Sequence, residues 1–231
     1  MNIKMLKAAV AGLALSVSGF ANAGLIVGYA PNVEVTTGMD ATGITWVDSN
    51  AEIYESSGGS FGDAITLRPS VAVATFSDAV AANDFFQFSI SAQLSNSFDL
   101  ETFSFHAYNG GASTPRGWVL RSSVDSFASD IDSSFITAPY DTIAPDLFSV
   151  DLSSFTSLTS IDFRVYAFAP TAGYAVNFGN LQIRGTVFDE LGNEIQTQIP
   201  EPSTLAIFTL GIMGLASRRF KKPSIALFDN A

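Results

Sequence analysis

The chain has no cysteine among its 231 residues and a single histidine, His106. A disulfide framework, a thiolate zinc site and a cysteine nucleophile are excluded, and one imidazole cannot make a histidine metal site. Charge is also scarce, at 14% of residues. Lysine is missing from the whole stretch Gly24 to Ile199, where 20 acidic side chains stand against five arginines (Arg68, Arg116, Arg121, Arg164, Arg184), a net of −15. Such a surface repels phosphate backbones and anionic lipid head groups, so nucleic acid is excluded as a partner. What the chain has in plenty is apolar: 47% of residues are hydrophobic and 20 are Phe. That is enough buried surface to offset ordering entropy, which rules out disorder as the main state.

Six of the eleven basic residues lie at the two ends. Lys4 and Lys7, the apolar run Ala8 to Val17, and Ala21-Asn22-Ala23 follow one another in the order of a secretory signal peptide. The small residues Ala21 and Ala23 place cleavage before Gly24, so residues 1–23 are expected to be removed. At the other end, the sixteen residues Pro202 to Ser217 carry no charge, and Arg218, Arg219, Lys221 and Lys222 follow. This run is just under the roughly 17 to 25 residues of a spanning helix, and bilayer thinning or snorkelling side chains make up the difference. The basic cluster behind it would stop transfer and leave the large domain outside the inner membrane.

Pro200-Glu201-Pro202, an apolar run with Gly211 and Gly214, and an Arg/Lys cluster together resemble the PEP-CTERM sorting signal of exopolysaccharide-producing Gram-negative bacteria. The resemblance covers Pro200 to Lys222 and implies a partner, exosortase, an integral-membrane cysteine protease or transpeptidase that reads such tails. The two prolines hold Glu201 extended, a form that a protease can read. Nine residues, 223–231, continue past the basic cluster, whereas the family usually stops near it.

Residues 24–199 read as one all-β domain. Asp84 to Ser91 alternates, with Phe86, Phe88 and Ile90 on one face, and the same period recurs at Phe98 to Tyr108, Gly117 to Ser122, Leu147 to Leu152, Ile161 to Phe168 and Leu181 to Phe188. Weaker strands are expected at Leu25 to Tyr29, Ile44 to Val47, Ala64 to Leu67 and Val71 to Phe76. Turn chemistry separates them at Ser57-Gly58-Gly59, Asn109-Gly110-Gly111, Pro170 to Gly173 and Leu191-Gly192-Asn193. Helical period is short, around Asp78 to Ala82 or Val124 to Ile131. Eight to ten short strands indicate an antiparallel β-sandwich, a jelly roll, followed by the single C-terminal hydrophobic helix at 203–217. The runs Arg121 to Phe127, Ile161 to Tyr166 and Asn180 to Val187 resemble the bodies of many PEP-CTERM exported proteins, which look like lectin-type or carbohydrate-binding jelly rolls.

Candidate chemistry is sparse. Gly58-Gly59-Ser60-Phe61-Gly62 matches a nucleophile elbow, but Pro69 cuts off the helix that must follow and no late histidine exists, so a glycine-rich turn is the better reading. Asp125, Asp130 and Asp132 fall within eight residues. Solvated loop acids, a Ca²⁺ site or a glycosidase pair would each account for them, in descending order of preference. The jelly-roll resemblance implies a structural Ca²⁺ near the first and last strands, with Glu34 or Asp40 as ligands. Trp46, Trp118, Tyr54, Tyr108 and Tyr140 lie near turns, and Trp46 and Trp118 are the candidate glycan contacts, against a stronger expectation of core or rim packing. Arg164 and Asp162 share a strand face and predict a cross-strand ion pair.

The expected function is a non-enzymatic surface or matrix protein, sorted by exosortase through a transient inner-membrane stage and acting with extracellular polysaccharide in biofilm or floc formation. No cofactor is expected beyond the structural Ca²⁺, and Ca²⁺ bridges would be the route by which so acidic a domain holds a polyanion. A secreted glycoside hydrolase is the alternative.

Overall fold

The computed structural model describes residues 24–29, 33–47, 52–54, 64–139 and 144–195. The signal-peptide residues Ala21 and Ala23, the turn at 57–62, Tyr140, the sorting motif Pro200 to Pro202, the hydrophobic segment, the basic cluster Arg218 to Lys222 and the tail 223–231 lie outside the described residues, as does the side chain of Tyr54.

Thirteen strands and one helix make up the described part. They are β1 (Gly24–Tyr29), β2 (Val33–Val35), β3 (Met39–Ala41), β4 (Thr45–Val47), β5 (Glu52–Tyr54), β6 (Ala64–Leu67), α1 (Phe76–Ala82), β7 (Phe85–Ala92), β8 (Ser97–Asn109), β9 (Arg116–Ser122), β10 (Asp132–Ile136), β11 (Asp146–Asp151), β12 (Ser160–Phe168) and β13 (Val176–Phe188). Every pairing is antiparallel. One sheet has seven strands, in the order β11-β8-β13-β1-β2 with β5 and β6 branching from β13; the other has six, in the order β10-β9-β12-β7-β3 with β4 also on β7. The result is an antiparallel β-sandwich.

Its core follows from the period-two pattern. Phe86 and Phe88 of β7, Phe103 and Phe105 of β8, Phe163 of β12 and Phe178 of β13 all turn inward and are fully buried. Rings meet across the two sheets, with Phe88 and Phe103 at 5.7 Å, Phe86 and Phe178 at 5.3 Å, and Phe105 and Trp118 at 5.0 Å between centroids. Each such buried ring contributes on the order of 1.5–3 kcal/mol by area alone. Without a disulfide, this phenylalanine layer is the main source of cohesion between the sheets.

The expected strand at Val71 to Phe76 is not formed. Thr75 caps α1 instead, its hydroxyl accepting from the Asp78 backbone N–H at 3.2 Å, and Asn83 ends the helix in a left-handed conformation at φ 59°. Phe76 and Val80 of α1 cover Phe85, Val119 and Tyr166 on the outer side of the six-stranded sheet. The expected helical stretch at Val124 to Ile131 is a single 3₁₀ turn, Ser123–Asp125. β13 begins five residues earlier than the alternation at Leu181 indicates, because its first half pairs with β6 and its second with β1.

Among the described residues no helix is long and apolar enough to cross a membrane; the expected hydrophobic helix at 203–217 lies outside them.

Candidate functional site

Two outer surfaces result from this arrangement. On the seven-stranded sheet, Asn180, Gln182 and Arg184 project from β13 as a polar ribbon. The Gln182 amide donates to Asn180 Oδ1 at 3.0 Å and Arg184 Nη2 donates to Gln182 Oε1 at 3.5 Å. Register sets their neighbours: Gln182 lies between Ser104 of β8 and Gly28 of β1, Arg184 beside Thr102, and Gly179 beside His106. Gly28 has no side chain and Ser104 a short one, so little bulk flanks the half-buried Gln182, while Asn180 and Arg184 are exposed and can meet a polar ligand.

The outer side of the six-stranded sheet is built differently. After β9 the chain takes two consecutive left-handed residues, Ser126 and Phe127, both at φ 61°. Neither is glycine, and such a conformation costs about 1 kcal/mol or more per residue, so it persists only where surroundings impose it. Here they do. Ser126 N–H donates to Ser123 O and Phe127 N–H to Ser122 O. Asp125 receives the Ala128 and Ser129 N–H groups at 3.1 and 2.9 Å. Arg121 pairs through Nε with Asp130 at 2.6 Å and donates from Nη1 to Phe127 O at 2.9 Å, while Ser123 Oγ accepts from the Asp162 N–H of β12. The loop is thereby tied down at both ends.

Its product is a clamp on Arg164. The guanidinium carbon lies 3.7 Å from the centre of the Phe127 ring and 4.4 Å from that of Phe85, and Nε donates to Gln87 Oε1 at 2.9 Å. The expected cross-strand ion pair is not what holds Arg164, whose neighbours across the sheet are Gln87 and Arg121. The ion pair on this face joins Arg121 to Asp130, and Arg164 is held by aromatic faces. Sequence reading missed Phe127, whose place depends on the left-handed pair; the signal available was an aromatic residue inside a Ser/Asp loop.

The acidic trio does not converge. Asp125 caps the loop, Asp130 pairs with Arg121, and Asp132 accepts from the Ser133 N–H at 2.7 Å. Among the described residues no three carboxylates or imidazoles are grouped to hold a metal ion, so Asp125, Asp130 and Asp132 are not brought together. Burial opposes ionisation of Asp125, yet its bonds from Ser129 and Ala128 outweigh that and hold its carboxyl below the ordinary range. Asp40, one of the carboxylates implied for Ca²⁺, accepts from the Gln93 amide at 2.8 Å.

The two tryptophans part company. Trp46 lies on edge strand β4 opposite Phe86 and is 41% exposed. Trp118 is 1% exposed, turned inward from β9 between the rings of Phe105 and Phe148. It offers no face to a sugar, and its reading as a glycan contact is corrected: β9 is flanked by β10 and β12, and its even positions point into the core. Next to it Arg116 is fully buried, donating to Gly111 O at 3.0 Å and Ser113 Oγ at 3.4 Å, with the Tyr174 ring 5.7 Å away. Desolvation pulls its pKa below the usual arginine value.

The described chain is therefore an antiparallel sandwich with a polar ribbon on the outer side of one sheet and a helix and an aromatic–arginine clamp on the outer side of the other. Beyond the sandwich, residues 198–222 match the family model of the PEP-CTERM protein-sorting motif, and the chain carries that sorting motif. No curated protein matches the chain. Similar solved structures include a family 29 carbohydrate-binding module complexed with mannohexaose, 14% identical, covering 71% of this chain and 93% of that one at a TM-score of 0.37. The CBM22-1 xylan-binding domain from Paenibacillus barcinonensis is 12% identical, covering 72% and 97% at a TM-score of 0.41. The CBM22-1 and GH10 modules of a Clostridium thermocellum xylanase are 12% identical, covering 70% of this chain and 28% of that one at 0.42. At these scores the likeness assigns no ligand to this chain.

Proposed function

We propose that this is an exported, non-enzymatic protein of the cell surface or extracellular matrix that binds polysaccharide through the outer face of its seven-stranded sheet. The C-terminal motif delivers it by way of exosortase after a brief stay in the inner membrane, and its role is structural or adhesive, in biofilm or floc formation. Export rests on the sorting motif at 198–222. Binding rests on one observation, the hydrogen-bonded ribbon Asn180–Gln182–Arg184 beside Gly28 and Ser104, which presents fixed amide and guanidinium donors to an extended ligand. Such donors suit sugar hydroxyls, which both donate and accept. The passage of the chain back and forth between the two sheets from β7 to β13 supports a jelly-roll reading of the sandwich.

A glycoside hydrolase would need two carboxylates facing one another roughly 5–9.5 Å apart across a substrate. Asp125, Asp130 and Asp132 are instead committed to loop donors and to Arg121, so nothing in them supports that alternative.

The test is affinity electrophoresis of the full-length protein through gels containing xylan, mannan, galactan or cell-derived polysaccharide. At least one should retard it, and the double variant Gln182→Ala, Arg184→Ala should weaken that retardation at least tenfold. Free migration in every gel, or an unaffected double variant, would overturn the proposal.

A further inference from the structure

The clamp on the opposite face is not accounted for by that function. Arg164 stands in the middle of β12 with Gln87 of β7 and Arg121 of β9 as its direct neighbours in the sheet. Two arginines facing each other across strands repel, and such a pair is retained only where something offsets the charge. Asp130 does so for Arg121. Arg164 has no ion-pair partner among the described residues, with Asp162 two residues along the same face; the Phe85 and Phe127 rings lie against its guanidinium, Nε is committed to Gln87, and its two Nη groups bond no acceptor among those residues.

With two rings packed against the guanidinium and Nε committed, the two Nη groups are what it has left to offer a ligand. The Nη groups then form a planar fork, fixed in direction by Phe85 and Phe127 and stripped of part of its water. The complement of that fork is a planar anion with two oxygens. We infer that Arg164, clamped by Phe85 and Phe127, is a recognition site for the carboxylate of an acidic sugar, a uronic acid residue in a polysaccharide; this rests on the reading that the protein meets polysaccharide. The strained backbone at Ser126 and Phe127 supports it, because a loop held by Asp125, Arg121 and Asp130 in an unfavourable conformation serves to set the second ring in place.

The domain's net charge of −15 opposes a polyanion at long range. At physiological ionic strength, however, that repulsion is screened beyond about 8 Å, and the fork decides at contact. The clamp thus offers a metal-free route to an acidic glycan, in contrast to the Ca²⁺ bridge that composition alone suggests.

The experiment is an NMR titration of the full-length protein, in EDTA, following the Arg164 Nε–H signal while sodium glucuronate or glucose is added. Glucuronate should shift the signal saturably and glucose should not. Arg164→Lys keeps the charge but loses the fork, and should weaken retention of the protein in alginate gels tenfold or more with the thermal midpoint unchanged; Phe127→Ala should act in the same direction. The Gln182, Arg184 double variant should still respond to glucuronate, since it lies on the other sheet. Equal responses to the two sugars, wild-type retention of Arg164→Lys, or loss of the response in EDTA would overturn the inference. Retention by neutral polysaccharide with none by alginate would overturn the clamp's role and leave the proposed function standing, whereas free migration through every gel would overturn both.

Discussion

Replacing Gly185 with alanine tests the register on which the outer face depends. Gly185 lies in the middle of the seven-stranded sheet, between β8 and β1, where the pairing of β13 with β8 shifts after Arg184. A Cβ there would fall on the Asp99 carbonyl oxygen, 2.8 Å from Ile26 Cδ1 and 3.0 Å from Leu100 Cα. The isoleucine can turn aside, but the Asp99 and Leu100 backbone is fixed in a ladder and cannot. Overpacking of a rigid site costs roughly 1–3 kcal/mol, and backbone obstruction belongs at the upper end. For a domain of this size each kcal/mol lowers the thermal midpoint by about 2–4 °C, so Gly185→Ala should melt some 6–12 °C lower. Gly43 is the control, since nothing lies within 4 Å of a Cβ placed on it. Gly43→Ala should be neutral or stabilise by up to about 1 kcal/mol by restricting the unfolded chain. Calorimetry on both variants decides. If Gly185→Ala melts within 2 °C of the parent, β8 and β13 are not paired in this register, and Gln182 and Arg184 need not share a face.

Other consequences are open to measurement. Arg116 is buried with no carboxylate partner among the described residues, so its volume should contribute more than its charge: Arg116→Met should cost no more than about 1 kcal/mol in urea unfolding, and Arg116→Ala about 3. Truncating Phe103, which meets Phe105 on its own sheet and Phe88 and Phe163 on the other, to alanine should cost about 3–5 kcal/mol by the same method. Asp151 is held below the ordinary carboxyl range by bonds from Ser153, and Asp189 by bonds from the Asn193 side chain and backbone. A depressed pKa in the folded state gives stability that is present above the unfolded value near 3.9 and lost as pH falls through the folded one. The urea midpoint should therefore fall below about pH 4, and Asp189→Asn should flatten part of that fall; an unchanged slope would contradict the assignment.

Much of this fold was legible from period alone. Runs such as Asp84 to Ser91 and Phe98 to Tyr108 alternate so regularly that face and burial follow directly, and the structure has them within a residue or so as β7 and β8. The short edge strands β2, β3 and β10 were not, because three to five residues with one side in solvent need no hydrophobic pattern; in β10, Asp132-Ser133-Ser134 reads as loop. Val71 to Phe76 looked like a strand because valines alternate there, yet Thr75 and Asp78 supply a helix cap that competes locally and wins. The clamp was half legible. Arg164 and Asp162 share a face two residues apart, which suggested an ion pair, but Phe127 reaches Arg164 only through tertiary register and two left-handed residues. Trp118 was placed at a turn by its neighbours in sequence, whereas its two flanking strands bury it.

The central claim is that a β-sandwich starting at Gly24 is exported and sorted by way of end segments that are then removed. Intact mass spectrometry of the protein recovered from the native cell surface and medium tests this most directly, by reading both termini. The account predicts a chain that starts at Gly24 and ends at or before Pro200-Glu201-Pro202. A recovered chain that still carries Arg218 to Ala231 would contradict it and leave a membrane-anchored protein in its place.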